Sequence, residues 1–230
     1  MYYLIPFAIW PLVYLFSSKY LFNTESIKLT RNLIGFVDAT VCCVGAMGYY
    51  VYDSKYAYEY SLLFPISYYI WDTYLIVIKD LSKEYMYVYH HLIALLMINE
   101  LFFAEQEFIN FVYPILISAE FCNIPLYISY YVIKTNPVIG DNENKLKNLT
   151  KIIYSKGAQI LLFILIRVIY YSYLFFYTLQ DIPRNKYFKG AISTVYIMGI
   201  FWLFNQTKGF WNDISLYKQL KNDINTAKND

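Results

Sequence analysis

The chain is 230 residues long, 58% hydrophobic and only 16% charged, with a formal net charge of +2 and a mean hydropathy of +0.34. Soluble domains average roughly 45–50% apolar and 25% charged residues, so composition excludes an ordinary soluble domain. The near-neutral balance, with no basic face interleaved with aromatics, excludes a nucleic-acid-binding protein. Tyrosine, present 28 times, lowers hydropathy while its amphipathic ring suits the membrane interface. The apolar runs are continuous and about twice as long as the alternating ten-residue strands of a membrane barrel. An all-α integral membrane protein remains.

A membrane span takes about 20 mostly apolar residues, and seven candidates follow in order. The first, 2–16, is short and contains Pro6 and Pro11. It lacks the positive region and small-residue cleavage site of a signal peptide and reads as a retained span. The second, 33–51, holds Asp38, Gly45 and Gly48; the third, 60–78, holds Pro65 and Asp72. A short charged turn, KDLSKE, leads to the fourth, 85–103, with His90 and His91, the two histidines of the chain. The fifth, 108–133, carries Pro114, Glu120, Asn123 and Pro125. Residues 134–156 form the longest polar stretch between spans and contain Asn-Pro and Gly-Asp turn signals. The sixth span, 158–179, surrounds Arg167, and the seventh covers 190–204. The tail, 205–230, is polar, with Trp211, Ile214, Leu216, Tyr217 and Leu220 spaced to suit the membrane surface. Cys42, Cys43 and Cys122 lie inside apolar runs and read as free thiols. No repeat and no second domain is visible.

Seven spans put the termini on opposite sides, and lysine and arginine choose the orientation. One side collects fourteen of them: Lys19, Lys28 and Arg31; Lys79 and Lys83; five lysines in 134–156; and four in the tail. The other side has four, Lys55, Arg184, Lys186 and Lys189. The bias predicts a lumenal or external amino terminus and a cytosolic carboxyl terminus. The sequons at Asn148 and Asn205 then fall on the cytosolic side, so neither is expected to carry a glycan.

Ionisable groups at membrane depth are costly and mark functional candidates. Asp72 lies roughly 9 Å inside the third span, and the histidines lie roughly 8–9 Å inside the fourth, at 1.5 Å per residue. The tight turn makes these spans antiparallel, which sets Asp72 level with the histidines as an orienting carboxylate for general-base work. Successive helical residues point about 100° apart, so one histidine faces fully inward and the other supports it. The bland reading, an Asp–His bond that pins two helices, weighs about equally. Adjacent histidines on one helix do not readily share a metal ion, so no metal site is expected. Glu120 and Arg167 lie deeper and are able to pair, either to fix helix register or to grip a polar head group. Asp38 either extends the polar cluster or reaches the interface. Asn123 beside Pro125 suggests a kink whose freed backbone groups the asparagine mends.

At these residues the chain resembles the TLC-domain family, which includes the ceramide synthases. The resemblance rests on KEYMYVYHHLIALL, the upstream SYYIWD, AEFCNIPLYISYYVIK around Glu120, the arginine-bearing FILIRVIYYSYLFF and the closing IFWLFNQTK. It covers roughly residues 31–208 and is closest to the small TLC-domain proteins. It implies a six-helix barrel around a lipid-accessible cavity, here preceded by an extra span in residues 1–30 and followed by a polar tail, 209–230. In ceramide synthases the histidine pair serves acyl transfer from acyl-CoA to a sphingoid amine. By resemblance, His90, His91 and Asp72 become catalytic candidates, with acyl-CoA as co-substrate and no bound cofactor. Glu120, Asn123, Arg167 and Asp38 become candidates for binding the lipid. Where ceramide synthases carry paired aspartates, this chain has Glu120 and Asn123. Two main functions follow: a lipid-metabolic enzyme performing N-acyl transfer, or a non-enzymatic lipid-binding protein that adjusts membrane composition. A seven-span receptor or transporter is weaker, since neither a signalling motif nor an inverted repeat is visible. Membrane lipids are the expected partners, the endoplasmic reticulum is the default location by analogy, and a homo-oligomer is left open.

Overall fold

The apolar runs fold as helices, as bilayer physics requires of a spanning chain whose backbone must satisfy itself. The computed structural model describes residues 4–21, 27–79, 81–181 and 186–229. Residues 2 and 3 of the first expected span, Asp80 of the charged turn, Arg184 and the last residue of the tail lie outside these. The elements are α1 (Ile5–Phe16), extended by a π-helical turn (Ser17–Leu21), α2 (Ile27–Tyr52), α3 (Lys55–Lys79), α4 (Leu81–Phe102) and α5 (Gln106–Thr135). Then come α6 (Asn142–Phe163), a π-helical segment (Ile164–Tyr170), α7 (Tyr171–Asp181) and α8 (Lys186–Asn229). Since α6, the π segment and α7 form one rod, the described residues make seven helical rods and no strand. Five rods are long and apolar enough to cross a membrane: α2, α3, α5, α6–α7 and α8. At 12 residues α1 is not among them. Nor is α4, diluted by tyrosines, the histidines, Asn99 and Glu100.

Packing pairs run from α2 to α3, α3 to α4, α4 to α8, α8 to α6, α6 to α5, and α5 back to α2. Outside this closed sequence, α1 rests on α3. There the Trp10 Nε1–H donates to Ser67 Oγ at 2.8 Å, and the ring meets Phe64 and Tyr68 edge-on. The buried face of α2 carries small residues, Gly35, Ala39, Cys42 and Ala46, at helical spacing that lets neighbouring backbones approach. A two-residue turn joins α2 to α3, with Asp53 at φ 50°, a left-handed position that aspartate tolerates.

Two expected boundaries shift outward. The polar stretch after α5 is a loop only as far as Asp141, whose side chain caps α6 by accepting from the Asn144 N–H at 2.8 Å. Likewise the tail does not separate; it continues α8, which at 44 residues is about 66 Å long. These polar extensions pair antiparallel. Lys156 bonds Asp213, and Gly157 faces the Phe210 ring. The same register continues inward to Arg167 beside Gly199 and Tyr171 stacked on Tyr196. A hydropathy pattern marks where a helix is apolar, not where it ends. In α5, finally, the chain runs through Pro114 and Pro125 as one helix, and Asn123 bonds Glu120 at 3.3 Å rather than mending the backbone.

A methyl group on Gly35 would stand 2.5 Å from the Tyr127 ring and hydroxyl. Gly35→Val is therefore expected to lower stability in detergent by about 1–3 kcal/mol or more. Gly190→Ala, with nothing within 4 Å, should leave it unchanged or raise it by up to ~1 kcal/mol. Thermal unfolding followed by tryptophan fluorescence checks both; equal melting points would refute the tight α2–α5 crossing.

Candidate functional site

The polar residues begin at the end of the bundle where α2 starts and α3 finishes. Lys28 and Arg31, one turn apart on α2, face Asp72 on α3 and Glu84 on α4. Arg31 grips Asp72 with two nitrogens, Nε to Oδ1 at 2.6 Å and Nη2 to Oδ2 at 2.8 Å, a bidentate geometry that lysine cannot supply. Its Nη1 bonds Glu84, which also takes Lys28 Nζ at 3.1 Å. Glu84 is where α4 leaves helical geometry, at φ −125° and ψ 17°. Three helices are thus tied by one guanidinium.

Sequence reading paired Asp72 with a histidine. The structure brings His91 Nε2 within 3.8 Å of Asp72 Oδ2, but the hydrogen bonds of Asp72 go to Arg31. His91 instead has Thr73 Oγ1 at 3.1 Å from Nδ1, and Tyr69 stacked on its ring at 4.8 Å. Tyr69 and Thr73 sit one turn apart on α3, so a single face of that helix boxes the imidazole. The two histidines diverge as successive helical residues must. His91 is buried against α3, while His90 turns toward α8, with its ring 5.1 Å from Trp202 and its Nδ1 buried without a partner.

His90 opens onto a cavity of about 30 Å³ deep among α4, α5, the π segment and α8, room for roughly two waters. His90, Ala94 and Met97 reach it from one face of α4; Ile115, Leu116, Ala119, Glu120 and Asn123 from one face of α5. Glu120 is buried; one oxygen accepts from the Tyr69 hydroxyl and the other from Asn123. Tyr69 therefore links the histidine box to the cavity carboxyl. Arg167 stands at the centre of the π segment, also buried, between the Phe163 and Tyr171 rings at 5.9 and 5.4 Å.

Glu120 and Arg167 share the cavity wall but do not form the ion pair that their depth suggested; the Arg167 Nε has no partner. Asp38 joins neither the Arg31 cluster nor the interface. It is fully buried, and neither oxygen is bonded. Among the described residues no three His, Cys, Asp or Glu side chains converge as metal ligands. Arg31, Tyr69, Thr73, Tyr171 and Trp202 were not singled out from sequence. Arg31 had a signal: with Lys28 it begins a helix one turn before Leu33, on the side where Asp72 ends its own span. The aromatics had none, being three among dozens.

Chemically, the charged end is self-satisfied and the cavity is not. A buried polar atom without a partner costs about 1–3 kcal/mol, which a ligand or water on the cavity wall would recover. The sequence model of the TLC domain matches residues 1–212 of the chain. Neither a curated protein nor a solved structure matches it.

Asp72 is buried and Arg31 half-buried, and removing the arginine strands the carboxylate. Arg31→Met is expected to cost about 3–5 kcal/mol, whereas the double change Arg31→Met/Asp72→Leu recovers most of that loss. Denaturation in mild detergent compares the two; a double variant no more stable than the single one would show that the pair is not a mutual requirement.

Proposed function

The chain belongs to the TLC-domain family, and we propose that it is a multi-pass membrane protein of lipid metabolism whose cavity takes the polar end of a membrane lipid. In this reading the closed sequence of α2, α3, α4, α8, α6–α7 and α5 is the six-helix barrel, with α1 as the added span. The amino terminus faces the lumen of the endoplasmic reticulum, and the lysine-rich paired extensions of α6 and α8 stand in the cytosol. One observation carries the reading: His90, Glu120, Asn123 and Arg167 form a polar patch on an otherwise apolar cavity wall, the last three on helices long enough to span a bilayer. Such groups are retained at membrane depth where they serve a ligand. Asp38 and Glu120 add acidic character to the α2–α5 side, and sphingolipids are the substrate class that the family resemblance favours.

Ala119 lines the cavity, and Ala119→Phe is designed to fill it. Lipid retained through purification and identified by native mass spectrometry should fall at least several-fold in that variant. Undiminished lipid in a folded Ala119→Phe protein would remove the cavity from the account.

The second reading is N-acyl transfer, favoured by the 3.8 Å approach of His91 Nε2 to Asp72. A histidine would take the proton of a lipid amine as the nitrogen attacks the thioester carbonyl of acyl-CoA. The C–S bond breaks, the amide forms, and the thiolate leaves with the proton as free CoA. We place this second because Asp72 is committed to Arg31 and His90 has no orienting carboxylate. Incubation with acyl-CoA and a sphingoid amine, read by mass, decides it. An amide product lost in His90→Ala/His91→Ala promotes this reading to first place; its absence from the wild type leaves lipid binding.

A further inference from the structure

Three residues that line one cavity each carry a buried polar atom without a partner, and each atom is able to donate a hydrogen bond: Arg167 Nε, His90 Nδ1 and the Tyr171 hydroxyl. The carboxyl on the same wall has no such vacancy of partners, because Glu120 already accepts from Tyr69 and Asn123. The unmet demand of the cavity is therefore for an acceptor.

Arg167 determines which acceptor. A guanidinium keeps its charge and matches a carboxylate in shape. Arg167 is 4% exposed, and it meets its aromatic neighbours Phe163 and Tyr171 at their ring faces, with no hydrogen bond from its Nε. It occupies the middle of a seven-residue π-helical segment, a departure from regular bonding found mostly at functional positions. Across from it, a methyl group on Gly199 would approach Nε to 3.2 Å, so the glycine keeps the guanidinium in place. The remaining wall, including Met97, Leu116 and Val195, is apolar and suits the carbons that adjoin a head group. At about 30 Å³ the space is near two waters, closer to a carboxylate than to a phosphodiester with its glycerol.

We propose that this cavity is a carboxylate site for a long-chain fatty acid, held by Arg167 with His90 and Tyr171 completing the donor set. The proposal rests on the cavity being a lipid head-group site and names the lipid class.

The test measures binding of radiolabelled oleate and oleyl alcohol to the full chain in detergent, with phosphatidic acid as competitor. Wild type should prefer oleate by about tenfold or more, the scale of a charge-assisted contact. R167Q should bring that ratio near one while leaving alcohol binding unchanged, and Arg167→Lys should keep part of it. If R167Q does not fold, Gly199→Ala, which crowds the guanidinium from α8, is expected to lower the ratio instead. Equal binding of acid and alcohol by the wild type overturns the proposal, as does an R167Q protein that keeps the preference. Displacement of oleate by phosphatidic acid more readily than by oleate itself also overturns it, in favour of a phosphate site. If Ala119→Phe sheds its lipid but oleate is not preferred, the carboxylate assignment alone falls. If Ala119→Phe keeps its lipid, the head-group reading falls with it.

Discussion

The bidentate contact between Arg31 and Asp72 sets the terms for everything around it. A carboxylate as buried as Asp72 is costly without its partner, so α2 and α3 are held in one register wherever the pair forms. The third nitrogen of Arg31 reaches Glu84 at the point where α4 loses helical geometry. The position of α4, and of both histidines on it, is therefore inherited from a guanidinium two helices away. This has a chemical consequence. A carboxylate engaged at both oxygens by arginine is a poor orienter for imidazole, and His91 is left with a threonine hydroxyl and a stacked tyrosine.

From that charged end a column of polar groups descends into the bundle. Asp72 approaches His91, His91 stacks on Tyr69, and Tyr69 donates to Glu120, which also holds Asn123. The column thus joins the charged end to the cavity carboxyl through one ring stack and one hydroxyl. Tyr69 is the hinge of this column, since it touches both the histidines and the cavity carboxyl. Tyr68 packs beside it, with ring centroids 5.6 Å apart.

Much of this was legible in the sequence, and the reasons for the rest are physical. Continuous apolar runs identify helices, because only helices satisfy their own backbone in lipid. Counting residues from each end of a span set Asp72 level with the histidines, and the 3.8 Å approach to His91 is the geometry that such counting is able to reach. Arg31 escaped because a charge near the start of an apolar run reads equally well as a loop charge, and only the partner decides. The long reach of α6 and α8 escaped because amphipathic, solvent-side helix carries no hydropathy signal. The π segment around Arg167 is invisible for a different reason: ILIRVIY has the composition of any apolar helix, and the extra residue in its turn is a tertiary outcome.

Arg31 and Arg167 show how partner supply separates architecture from function. Arg31 meets two carboxylates, and removing its charge would strand them; its role is exhausted by the helices it joins. Arg167 lies deeper but has two aromatic faces, a glycine opposite and an unbonded Nε. Glu120, on the same wall, has both oxygens committed to neutral donors. An ion pair between them would have been the cheaper arrangement for a scaffold, since it would cancel two buried charges at once. The fold holds them apart, across a gap sized for a small polar group and walled elsewhere by hydrocarbon. Unpaired polar groups at membrane depth persist where something else completes them, and the separation of Arg167 from Glu120 is the physical ground for reading this cavity as a place where a lipid head group binds.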